Sequence, residues 1–65
     1  MYKNLKAELA RNNKNQGSIA KILGISEKQV SFKINGISDF TTSEATKIRD
    51  ELFPSLALDY LFSKD

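Results

Sequence analysis

Residues 16–35 read QGSIAKILGISEKQVSFKIN. Two short amphipathic helices fit this stretch, joined by a tight turn at Gly24-Ile25-Ser26. The first turns Ile19, Ala20 and Leu23 inward, and the second turns Val30 and Ile34 inward. Gly24 reverses the chain, since a residue without a Cβ enters left-handed backbone space freely. Ser26 restarts a helix, and Gln29 three residues on completes a capping box. Two helices set steeply over such a turn form a helix-turn-helix, whose second helix fits the DNA major groove.

The flanking sequence extends the same all-helical reading. A first helix begins at Tyr2 or Asn4 and reaches Asn12, with Leu5 and Leu9 stacked at i, i+4. The polar run Asn12-Asn13-Lys14-Asn15 breaks it, and Asn15 is an N-cap for the second helix. Asn35-Gly36 closes the third helix, because the 3.6-residue period around it argues against a hairpin turn. Thr41-Thr42-Ser43-Glu44 is a further capping box, with Phe40 placed to staple onto Ala45. The fourth helix buries Ala45, Ile48 and Leu52 and stops before Pro54. A short apolar helix follows in LALDYLF. With no repeat or linker, residues 1–65 are expected to form one all-α domain, a compact bundle of four to five short helices.

Composition narrows the function. A 65-residue chain buries only about 60% of its unfolded surface, so small domains need help from disulfides, metals, tight helix packing or a partner. The chain has no cysteine and no histidine, so disulfides are out and neither a metal nor a cofactor is expected. Catalysis is the weakest class: there is no glycine-rich phosphate loop, and a small bundle offers Ser26 and Lys28 no deep pocket. No apolar run approaches the ~18 residues of a membrane span, and no signal-peptide core is present. A soluble cytoplasmic protein with no membrane partner is the expectation. The net charge of +2 is unevenly spread. Residues 1–36 carry Lys3, Lys6, Arg11, Lys14, Lys21, Lys28 and Lys33 against Glu8 and Glu27, a balance of +5. Residues 37–65 carry Lys47, Arg49 and Lys64 against Asp39, Glu44, Asp50, Glu51, Asp59 and Asp65, a balance of −3. The half holding residues 16–35 is therefore the half suited to a polyanion.

These residues resemble the phage repressor and Cro-like regulators, a resemblance covering nearly the whole chain. Its marks are Gln16, Ala20 where the two helices cross, Gly24, Val30-Ser31 and Asn35-Gly36. The run from Asp39 onward resembles the C-terminal part of a small phage-type subgroup. The resemblance implies a lambda-repressor-like DNA-binding fold and a bacterial or phage repressor. Three positions depart from the pattern. Lys33 stands where an apolar residue is common, so either the helix is rotated or Ile34 takes over the packing. Gly17 replaces a helix former, at ~1 kcal/mol relative to Ala, and is expected to loosen the second helix at its start. Glu27 occupies the first exposed place of the recognition helix, where a Gln or Arg donor is usual.

In that docking geometry Glu27, Lys28, Ser31 and Phe32 meet base edges. Lys28 donates to guanine O6 and N7. Glu27 either accepts from a cytosine N4 or serves the helix dipole. Phe32 either meets a thymine methyl or packs inward; Val30 and Ile34 mark the inward face, which favours the groove. Gln16 and the free N–H groups around Gly17 are expected to bond a phosphate, with Lys14, Lys33 and Asn35 as further backbone contacts. Gly24, Ser26, Gln29 and Gly36 shape the turn and caps. A single module makes a small interface, so a homodimer on a pseudo-palindromic site of double-stranded DNA is expected. Its surface is assigned to residues 55–62, through Leu56, Leu58, Tyr60, Leu61 and Phe62, the alternative being that most of these cap the domain's own core. No small-molecule effector is expected, and the apolar end suits a complete small protein better than an excised domain. The alternative is a protein-interaction module of the same fold, an antitoxin or adaptor, touching its partner through Phe32 and the tail.

Overall fold

Asn15, Ser26 and Thr41 each start a helix by the same device. The side-chain oxygen of each accepts the backbone N–H three residues on, from Ser18, Gln29 and Glu44 respectively, and that residue's side chain answers the cap's own N–H. Donors left unpaired in a first helical turn are thus satisfied locally, and the starts are set by sequence. The computed structural model describes residues 1–64, whose helices are α1 (Lys3–Arg11), α2 (Gln16–Leu23), α3 (Glu27–Ile34), α4 (Thr42–Leu52) and α5 (Leu58–Leu61). No strand occurs among the described residues.

The turns use left-handed residues where they must. Gly24 (φ 69°) ends α2, and its N–H and that of Ile25 both donate to the Ala20 carbonyl, at 2.8 and 3.2 Å. Gly36 (φ 85°) follows α3 in a Schellman arrangement, with Gly36 N–H on the Lys33 carbonyl and Ile37 N–H on that of Phe32.

Every helix contributes to one core. Leu5, Ile19, Val30, Ile34, Ile48 and Leu61 are fully buried, joined by Tyr2, Leu9, Ala20 and Phe53. Ala20 is buried on α2, which packs on α3, while α4 closes on α2 and α5 rests on α1 and α4. The rings of Tyr2, Phe40 and Phe62 form an edge-to-face trio with centroids 5.3–5.8 Å apart. Tyr2 N–H also donates to the Ile34 carbonyl at 3.0 Å, tying the chain's start to the end of α3.

The apolar tail corrects an expectation. Assigned from sequence to a dimer surface, it mostly faces its own domain. Leu61 is fully buried, Leu56 packs against the core, and Phe62 lies in the aromatic trio. Tyr60 keeps 39% of its surface, but its hydroxyl donates to Glu8 Oε2 at 2.8 Å and its carbonyl accepts from Asn4 Nδ2 at 2.9 Å. This single helical turn packs on both α1 and α4. Glu8, buried at 5% exposure, is compensated by Arg11 at 2.6 Å as well as by Tyr60. That pairing raises the Tyr60 phenol above its ordinary value, chiefly through the hydrogen bond to the Glu8 carboxylate.

Candidate nucleic-acid interface

Burial of Val30 and Ile34 fixes the rotation of α3 and turns Glu27, Lys28, Gln29, Phe32 and Asn35 to solvent, with Ser31 half-buried between. Gln29 is occupied: its Oε1 accepts the Ser26 N–H at 3.3 Å, and its own N–H donates to Ser26 Oγ at 3.2 Å. Asn35 Nδ2 donates to Ser31 Oγ at 3.3 Å, joining two polar residues one turn apart. Phe32 is 38% exposed on this polar face, with the Lys28 ammonium 5.8 Å from its ring centroid. Sequence spacing placed Phe32 off the core, and it is off the core.

Lys33 corrects a second expectation. Its Nζ donates to the Asp39 carbonyl at 3.0 Å and to Glu44 Oε1 at 3.2 Å, and lies 5.9 Å from the Phe40 ring. Only 17% of the side chain is exposed. Lys33 is a brace between α3, the following loop and α4, not a spare cation for a phosphate. Ile34, 1% exposed, fills the core place that the departure at Lys33 left open, so α3 needs no rotation. The carboxyl of Glu44 is held below its ordinary range, first by the Thr41 N–H and then, against partial burial, by the Lys33 ammonium. Lys64, after α5, does the same to Asp39 on the loop between α3 and α4 through their ion pair.

Gly17 has a packing reason that sequence reading missed. A Cβ there would stand 3.0 Å from the capping oxygen Asn15 Oδ1 and 3.4 Å from Glu27 Oε2. The capping box at the start of α2 is complete with the glycine in place, and the Glu27 carboxylate lies against that first turn. An acidic group there complements that helix's dipole. Gln16 is half-buried at the same turn, and Lys14 is exposed just before it.

A shallow groove runs between α2 and α3, lined by Asn15, Gly17, Ser18, Lys21, Gly24 and Glu27, with Ala20 and Ile25 at its floor. Lys21 was not singled out from sequence; the signal was its place one turn after Gly17 on α2. Among the described residues Lys14, Lys21 and Lys28 are exposed and in no ion pair, whereas Arg11, Lys33, Arg49 and Lys64 are tied to carboxylates. Lys6 and Lys47 are likewise unpaired, on α1 and α4. Lys28 thus stands on α3 itself, Lys21 lines the groove between α2 and α3 together with Glu27, and Lys14 lies just before α2. No group of three or more acidic side chains among the described residues stands close enough to hold a metal ion, and no helix there is long and apolar enough to cross a membrane.

No family model matches the chain, and neither a curated protein nor a solved structure matches it.

Proposed function

We propose that this chain is a sequence-specific DNA-binding transcriptional regulator, a repressor that covers its operator. The carrying observation is the exposed face of α3 with unpaired Lys28 on it and unpaired Lys21 in the groove beside it, on a pair of helices joined by a three-residue turn. On this reading α3 enters the major groove, Lys28 donates to a guanine edge, and Ser31 and Asn35 supply further polar contacts. Lys14, Gln16 and Lys21 bond the phosphate backbone and set register.

Two copies bind one operator, since a single module buries only about 600–1,000 Å². Their recognition helices then stand about 34 Å apart on a pseudo-palindromic site. Tail burial leaves the surface between the copies to groups other than Leu61.

Selection of bound duplexes from a randomised pool near physiological salt tests the reading. Enrichment of half-sites one helical turn apart is expected. Lys14 and Lys21 in each of two copies neutralise about four phosphates, so log affinity should fall against log salt with a slope of about −4. The second reading, a protein-docking module, is favoured by Ile37, 71% exposed beside Phe32. It predicts no enriched duplex and a slope near zero.

A further inference from the structure

Phe32 is the one aromatic ring that the described chain turns to solvent from α3, and nothing apolar of its own fold covers it. Ile37 is exposed beside it, but the neighbours along α3 are polar or charged. The Lys28 ammonium stands over the ring, and the same helix carries Ser31 and Asn35, joined by a hydrogen bond. The partner surface that fits must offer an apolar knob beside a hydrogen-bond acceptor in a negative field. A major-groove edge does so wherever a pyrimidine C5-methyl lies near the O6 and N7 acceptors of a guanine.

We infer that Phe32 reads a C5-methyl group, so that binding follows the methyl and not the pyrimidine that bears it. The inference rests on the DNA reading above. The separation of Lys28 from the ring, 5.8 Å, sets the spacing. Successive bases rise about 3.4 Å, so the methylated pyrimidine and the guanine taken by Lys28 stand one or two base-pair steps apart. Thymine satisfies the ring, and 5-methylcytosine does so equally, because both carry the methyl at the same place in the groove. Methylation of a cytosine at that step therefore strengthens binding.

The test uses the full chain and the duplex enriched by selection. Thymines are replaced one at a time by deoxyuridine, which removes only the methyl. One position per half-site is expected to weaken binding about fourfold, and about fifteenfold when both half-sites are changed, the worth of one buried methyl in each. At that position 5-methylcytosine should exceed cytosine by a similar factor. The F32A variant, which keeps Val30 and Ile34 in the core, should bind thymine and uracil duplexes alike. Specific binding that ignores every deoxyuridine, or an F32A protein that still discriminates, overturns this inference and leaves the DNA reading standing. Failure to enrich any duplex overturns both.

Discussion

Replacing Lys33 by methionine separates a brace from a phosphate contact. Lys33 Nζ holds the Asp39 carbonyl and Glu44 Oε1 from a side chain only 17% exposed. Methionine keeps the apolar stem against Phe40 and removes the charge. Two hydrogen bonds are lost, one to a carboxylate. Glu44 stays satisfied by Thr41 N–H at 3.0 Å, and a quarter of its side chain remains in water, so no bare buried charge is left. The net cost is therefore about 1 kcal/mol, near the upper end for a partly exposed ion pair. In a domain this small that lowers Tm by about 4–8 °C, read by circular dichroism. The salt slope of DNA binding should not change. A phosphate contact from Lys33 in two copies would take about 2 off that slope. A Lys33→Met protein that melts like the parent but loses about 2 from the slope would refute the brace.

Three further perturbations test the packing. Leu61→Ala removes a fully buried side chain and should cost about 2–5 kcal/mol, comparable to the whole stability of so small a core. The loss should be independent of protein concentration in a dilution series of melts; a loss that fades on dilution would return Leu61 to an interface between copies. Gly24→Ala meets no atom within 4 Å, so its cost is only the left-handed backbone at φ 69°, about 1 kcal/mol, seen as a lower urea midpoint at unchanged slope. Acid should weaken the fold through Asp39 and Glu44. Both carboxyls titrate below their ordinary values of 3.8 and 4.5, so their contribution is complete above about pH 4.5. It is lost as pH falls through the lowered folded values, and melts between pH 6 and 2 should show that decline.

Local chemistry was legible in the chain. Asn15, Ser26 and Thr41 announce helix starts because an N-cap involves only the next three residues. Gly24 and Gly36 announce helix ends because left-handed backbone favours a residue without a Cβ. The 3.6-residue period selected Leu5, Leu9, Ile19, Val30, Ile34 and Ile48 for the core, and all are buried. It also left Phe32 on the outside. The reciprocal bond of Ser18 to Asn15 is local too, and serine at that position is a weaker signal than glutamate or glutamine.

The remaining assignments depend on partners far along the chain. Lys33 reads as a surface cation until Glu44, 11 residues on, folds back to meet it. Tyr60 reads as part of a surface between copies until its hydroxyl donates to Glu8, 52 residues away. Gly17 reads as a flaw until the Glu27 carboxylate arrives from the next helix. The tail's apolar residues carry the same pattern whether they cover their own core or another copy's. Hydrophobicity is non-directional, so sequence determined that LALDYLF would be covered, and only the tertiary arrangement of α1, α4 and α5 decided by what.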